Sequence, residues 1–596
     1  MTSVTTGRVP VVDPLQTGAP RAAAEHAHLE ALLRCWTRET GTPVQPGLLH
    51  ITLPSTGLTL VTDVWHASVT GWHRFGPVRL RRADGADAGP ADPVLTVALV
   101  AAEATARGGV LPGGIPAGEL ADLVGRTADS VRRVEAFLSG RGQCEPGTGA
   151  SDAPCGDPFL DAEQGLLLGH LHHPAPKNRD GITAAEAAAW SPELRCSFRL
   201  HWFAADPAVV SQDAVTDSPA LRGRDTAALF ADLAEVSGAG GRVLVPAHPW
   251  QAREALRRPR VAALVEAGLL EPLGERGAPW CPTSSVRTVY RPGTEVMLKL
   301  SLGLRITNSR RELTPNELRR GVEVHRLLDI GYLAATAAAH PHFSIVRDPG
   351  WLAVDEPQRP GGPKLMGLDV AVREVPQRIS ELRVLAGLVA PRPQRGFSRL
   401  GELVAVHGLD PTAWVAAYTD RVLVPMLHLY AATGIGLEAH QQNTLVRVAP
   451  DGQVSGGAFR DNEGYYLGGS RLPALLRARG ATKSALMVVE DGIVEDRLCY
   501  YLLRNQALAV VGCLAVDGLA REPELLDALT DRLHAALPGL AAAGPDGDRL
   551  ARRWLTQPTL PCKGNLFTRL HGIDEVTAPL DAQSVYLDLP NPLPPR

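Results

Sequence analysis

The chain has 596 residues, 45% hydrophobic and 21% charged, with a formal net charge of −4 at pH 7. Such a length exceeds what one hydrophobic core fills, so about two to four subdomains are expected. Acids and bases are mixed along the chain with no long basic run, which argues against nucleic acid as a partner. Met1 to Ala24 lacks the basic-then-apolar order of a secretory signal, and no stretch approaches the roughly 18 apolar residues of a membrane helix. A cytoplasmic protein without a membrane partner is expected.

An α+β fold in three regions is predicted. The first, residues 1–155, has an amphipathic helix over Glu25 to Arg38, an alternating strand over Leu58 to Trp65 and a helix starting near Pro116. A breaker-rich linker, Gly140 to Pro158, closes it. In the second, residues 156–375, Arg195 to Ala204 and Val286 to Ile306 read as strands. Ser309 to Arg311 opens a helix running through Thr314 to Leu328. The third, residues 376–596, is mostly helical, interrupted by a hairpin of Asn443 to Val448 and Val454 to Phe459 around Pro450-Asp451-Gly452.

Eight cysteines are scattered without a C-x-x-C pair, so reduced thiols are expected, and neither a zinc site nor a redox dithiol. Of 60 basic residues only five are lysine: Lys177, Lys299, Lys364, Lys483 and Lys563. Where arginine has replaced lysine so widely, a retained lysine suggests chemistry that needs a compact, mobile ammonium.

There is no G-x-x-x-x-G-K-[ST] loop and no G-x-G-x-x-G after a strand, so side chains must hold the phosphates of any nucleotide. If Ser285 to Val289 is a strand, Ser285, Arg287 and Val289 share one face, and Arg287 can make paired bonds to a phosphate or carboxylate. Lys299 sits among apolar residues of an alternating segment, where its charge needs an anionic partner. Thr307, Asn308 and Ser309 are placed just before the expected helix, with Arg311 beside its anion-receptive N-terminus. Further on, Glu438, His440, Gln442 and Asn443 form a polar loop, and the hairpin returns the chain to Asp461. Carboxylate and amide oxygens suit Mg²⁺, which usually also binds substrate phosphates. The layout is similar to the catalytic loop and metal aspartate of kinases. Gly169 to Gly181 carries His170, His172, His173 and Lys177 between prolines and glycines, as a mobile lid over an anionic ligand would. His248 and Trp250, at a strand end, fit packing equally well. Lys563 stands in Pro561-Cys-Lys-Gly-Asn near the C-terminus.

Together these segments resemble the NRPS-independent siderophore synthetases, the aerobactin-synthetase-like IucA/IucC proteins. The matching elements are G-H-x-H-H-P-x-x-K-x-R-x-G at 169–181, H-P-W-Q at 248–251, S-S-x-R-T at 284–288 and K-L-S at 299–301. They continue with I-T-N-S-x-R at 306–311, E-A-H-x-Q-N at 438–443 and R-D-x-x-G at 460–464, in family order over about 400 residues. The chain departs from the family pattern in reading G-H-L-H-H-P where relatives have G-H-P nearer the start. The resemblance implies a cupped hand with thumb, fingers and a kinase-like palm. It also implies ATP-dependent adenylation of a polycarboxylate such as citrate, then attack by an amine or hydroxyl with release of AMP and pyrophosphate; family members often form homodimers. By motif match, Ser285, Arg287, Thr288, Lys299, Arg311, Gln442, Asn443 and Asp461 hold ATP, with Glu438, Asn443 and Asp461 toward Mg²⁺. His172, His173, Lys177, Ser285, Arg287, Arg311, His440 and Lys563 face the small-molecule substrates. Arg287, Lys299, Arg311 and His440 are the catalytic candidates. A small-molecule kinase, and a non-catalytic binder of carboxylates or iron chelates, are the competing functions.

Overall fold

The computed structural model describes residues 12–108, 111, 114–142, 156–235, 240–307, 309–355, 366–461, 463–573 and 583–593. The expected first helix runs over Pro20–Thr40, with proline in its first turn and Gly41 ending it at φ 68°. It packs with helices Pro93–Ala106 and Ala117–Gly142 on a small antiparallel sheet that includes Gly47–Leu53 and Leu58–His66. Leu29, Trp36, Phe75 and Val97 form this core, and Leu566, Phe567 and Leu570 return from the far end of the chain to join it. Most of the expected linker, 143–155, lies outside the described residues, and helix Pro158–Gln164 follows it.

An eight-stranded antiparallel sheet forms the middle of the molecule. Its strand Val296–Leu300 is buried along its length. Val296, Leu298 and Leu300 point into the core of the sheet. The period-two alternation turns Met297 and Lys299 the other way. Met297 meets Phe159, Leu382, Leu445 and Ala458, and Lys299 is thereby aimed at the third region.

The third region holds the largest core. The hairpin forms as expected, with Thr444–Val448 antiparallel to Val454–Arg460. Helix Val424–Thr433 stops at Gly434, φ 74°, where a Cβ would lie 2.3 Å from the Arg471 side chain. One helix, Asp491–Val516, is long and apolar enough to cross a membrane, contrary to the expectation of none. Of its most apolar window 89% is buried in the protein, so it serves as a central core helix, with a π-helical stretch at Cys499–Ala507. No disulfide joins any two of the six described cysteines, and no metal-binding group of three or more His, Cys, Asp or Glu occurs among the described residues.

Two local expectations are corrected. The range Val286–Ile306 holds three strands, Thr288–Tyr290, Val296–Leu300 and Leu302–Ile306, the first starting later than Ser285. Ser284 to Arg287 precede them as a turn, with Val286 at φ 68°, so strand alternation does not place Ser285 and Arg287. Ser309–Arg311 is a strand folded back on Leu302–Ile306, not a helix start. The helix begins at Pro315, where Thr314 and Glu317 form a reciprocal capping box. That box uses the helix's own first-turn groups, so the Thr307–Ser309 corner has no helix N-terminus to offer an anion; Asn308 lies outside the described residues.

Candidate active site

A cavity of about 350 Å³ opens where the three regions meet, and every residue assigned above to ATP, Mg²⁺ or the small-molecule substrates lines it. Three of the five lysines, Lys177, Lys299 and Lys563, are among them.

One wall is the turn after strand Leu270–Pro282. The backbone N–H and Oγ–H of Ser284 donate to Glu163 Oε2 at 2.9 and 2.7 Å. The Thr288 N–H donates to Ser285 Oγ at 3.1 Å. Arg287 is buried, donates from Nη1 to the Arg311 carbonyl at 2.7 Å, and lies 3.6 Å from the Glu317 carboxylate. Arg311 Nη2 in turn donates to Thr307 Oγ1 at 3.3 Å. The hairpin corner thus brings the two arginines together, although no helix starts there.

The opposite wall is the loop before the hairpin and the strand end after it. Asn443 Nδ2 donates to the Glu438 carbonyl at 3.0 Å and to Asp461 Oδ2 at 3.3 Å, which leaves its amide oxygen available. Lys299 Nζ crosses from the first wall to Asp461 Oδ1 at 3.0 Å. Burial opposes the ammonium charge, and Asp461 counters that effect. Glu438 accepts the Tyr466 hydroxyl at 2.8 Å. His440 Nδ1 accepts the Gln442 N–H at 3.2 Å, and burial lowers its pKa. With Nδ1 accepting, the neutral ring carries its proton on Nε2, as a hydrogen-bond donor.

A buried knot joins the two walls. Glu163 pairs with Arg460 Nη1 at 2.5 Å, Arg460 Nη2 donates to the Gln442 carbonyl at 2.9 Å, and Gln442 Nε2 reaches Ser284 Oγ at 3.3 Å. Sequence reasoning missed Glu163, which lies just past the linker with no motif around it. It also missed Glu463, pushed up to about 8 by burial and by the carboxylates of Glu317 and Asp461. The T-x-x-E spacing of Thr314 and Glu317 was a legible signal for the capping box.

The segment Gly169 to Gly181, expected as a lid, lines the cavity and is packed against the protein. His172, His173, Lys177, Asn178 and Arg179 are buried. Lys177 Nζ and Arg179 Nη2 each pair with Glu193 Oε1 at 2.5 Å, so the Lys177 ammonium is engaged by a protein carboxylate although the residue lines the cavity. Gly169, at φ 78°, lets the arms of the loop pack: a Cβ there would sit 2.9 Å from Pro176 Cβ. His172 Nε2 lies 3.1 Å from the Gly71 carbonyl, and Asn565 Nδ2 donates to the His172 carbonyl at 2.7 Å. His248 caps helix Pro249–Leu256 by accepting the Trp250 N–H, and Trp250 Nε1 donates to the Gly181 carbonyl, so both are structural.

Residues 158–390 match the IucA / IucC family, and residues 412–578 match the family described as ferric iron reductase FhuF-like transporter. The chain is 36% identical, over 95% of its own length and 98% of the relative's, to the rhizobactin siderophore biosynthesis protein RhbC of Rhizobium meliloti. The chain belongs to the NRPS-independent siderophore synthetases of the IucA/IucC family. This siderophore synthetase is also 30% identical to the spermidine-citrate ligase of Bacillus anthracis, over 96% of its chain and 98% of the ligase. Its fold matches ATP-bound aerobactin synthetase IucA from a hypervirulent pathotype of Klebsiella pneumoniae. The TM-score is 0.79 at 27% identity, covering 95% of the synthetase and 99% of that chain. The α+β, multi-subdomain architecture expected from the sequence is that of the family.

Proposed function

We propose that this synthetase activates one carboxylate of citrate with ATP and joins it to an amine, or to a hydroxyl, in the cytoplasm. The observation that carries the reading is the meeting, in one cavity, of Arg287, Lys299 and Arg311 with Asn443 and Asp461. Names of relatives support the acid, since one is a spermidine-citrate ligase, and a solved relative is ATP-bound.

In the first step a carboxylate oxygen of citrate attacks the α-phosphorus, the bond from that phosphorus to the bridging oxygen breaks, and pyrophosphate leaves. Both reactants are anions, so fixed cations must offset their repulsion. Arg287 and Arg311 lie together on one wall, and Lys299 projects between the walls. Asp461, Asn443 and Glu438 present carboxylate and amide oxygens, a donor set that fits Mg²⁺. When bound, Mg²⁺ supplies charge neutralisation at the phosphates. Lys299, released from Asp461, is then placed to neutralise phosphate oxygens. His440 Nε2–H donates to a substrate oxygen and orients it. In the second step the amine nitrogen attacks the acyl carbon, the carbon–oxygen bond to AMP breaks, and the amine proton passes to solvent.

The test is pyrophosphate release with ATP, Mg²⁺ and hydroxylamine against citrate, 2-oxoglutarate, succinate and their monoamides. Citrate-dependent pyrophosphate with a hydroxamate product is expected. ADP in place of pyrophosphate and AMP would move the protein to the kinases, and no ATP consumption with any acid would remove the enzymatic reading.

A further inference from the structure

The charge of the cavity is uneven, and its far end bears on the amine substrate. Among the described residues that line it, the carboxylates are Glu438, Asp461 and Glu463. Asp461 is bonded to Lys299, and Glu463 is hydrogen-bonded to Glu317 and faces Lys299 and Arg287. Only Glu438 is near the other end, and it accepts the Tyr466 hydroxyl. That end is built instead from Lys563, Arg497, His170, Tyr500 and Asn565. His440 lies within electrostatic reach of both Arg311 and Lys563. His170 is within reach of His440 and Lys563, and of Arg38 behind them. His440 therefore stands between the carboxylates Glu438 and Asp461 and the cations Arg311 and Lys563, with His170 and Arg38 near Lys563.

Arg38 belongs to helix Pro20–Thr40, near His170, His172 and Tyr500. Its Nε and Nη2 are enclosed and have no hydrogen-bond partner. The neighbouring Glu39 does not answer it with a hydrogen bond: its two oxygens take the N–H groups of Leu566 and Phe567 at 2.9 and 2.8 Å. Those bonds anchor the segment that carries Lys563. Enclosed guanidinium N–H groups without hydrogen bonds cost free energy that a nearby anion offsets.

We infer that the amine substrate carries its own carboxylate, an amino acid or amino-acid derivative, and that Lys563 receives that carboxylate beyond His440, with the Arg38 charge behind it. A polyamine would bring two or more positive charges to an end where, among the described residues, Glu438 is the one lining carboxylate and Glu39 stands behind it beside Arg38. An amino acid brings an anion to Lys563, and the same positive field favours the neutral, nucleophilic form of its amine. This rests on the proposed ligase reaction and adds the class of its second substrate.

The experiment supplies citrate, ATP and Mg²⁺ with amines in pairs that differ by one carboxylate: serine and ethanolamine, ornithine and putrescine, lysine and cadaverine. Amide or ester product is read by mass spectrometry. In the best pair the carboxylate-bearing member should exceed its partner in kcat/KM by about 10-fold or more. Lys563→Gln and Arg38→Gln should each pull that ratio toward one, chiefly through the KM of the amino acid. The ratio is taken within one variant, so a general loss of folded enzyme cancels. Decarboxylated amines that react as well or better in every pair, or a ratio that neither substitution moves, would overturn the inference. Citrate hydroxamate formation, run in parallel, separates this failure from failure of the ligase reaction itself.

Discussion

Lys299 and Asp461 lie 162 residues apart in the chain and meet at 3.0 Å across the floor of the cavity. One comes from the central strand of the large sheet, the other from the end of the palm hairpin, so their bond ties two regions together at the point where phosphates are expected.

Lys299→Met should lower citrate-dependent pyrophosphate release by about 100-fold or more, because a preorganised cation is lost where negative charge gathers. Asp461→Asn should raise the Mg²⁺ concentration needed for half-maximal rate. Steady-state kinetics with magnesium titration reads both, and near-normal rates in Lys299→Met would remove its assigned role.

His440 is expected to act as a neutral donor. His440→Gln, which keeps a donor, should retain more activity than His440→Ala, and both should raise the KM for citrate. Burial holds its pKa below the ordinary histidine value, so its titration should leave no inflection in the wild-type rate profile between about pH 7 and 8. An inflection there that vanishes in His440→Gln would make it a general base instead.

The buried knot at Glu163 predicts a stability effect. Glu163→Ala strands the Arg460 guanidinium and releases the Ser284 turn, at a cost of about 3–5 kcal/mol. Thermal unfolding should show the loss, and ATP affinity should fall with it because the phosphate-facing turn loses its anchor.

Acid should destabilise the protein in two stages. Burial lowers His28 to about 4, and His170 and His248 to about 3. These folded-state values lie below the unfolded one, so the stability they contribute is complete above about pH 6.5 and is lost as pH falls toward 4 and 3. Each is worth roughly 3 kcal/mol or more over its window. Burial works to raise Glu193, but Arg179 and Lys177 outweigh it and hold the carboxyl at about 2. Its contribution is present above about pH 4.5 and is lost as pH falls through 2. Urea midpoints measured from pH 8 to pH 3 should fall first below about 6.5; a flat profile between 6.5 and 5 would contradict the first stage.

Local chemistry explains why parts of this molecule were legible in the chain. The helix over Pro20–Thr40 and the hairpin around Pro450-Asp451-Gly452 follow from periodicity and turn residues, both properties of a few neighbouring residues. The ordered motifs placed the chain in its family, and rarity made Lys177, Lys299 and Lys563 conspicuous. Position and role within the site were decided by contacts between distant segments. The Ser284 turn takes its place from Glu163, whose spacing in sequence carries no sign of that partner. Arg287 and Arg311 meet through a hairpin corner because strand pairing and the Thr314–Glu317 capping box outweighed an earlier helix start. The histidine-rich loop is a packed strap because Glu193 pairs with Lys177 and Arg179 in a buried site. Propensity and spacing act over a few residues, whereas desolvation and charge pairing act through space, and only the folded chain brings such partners together.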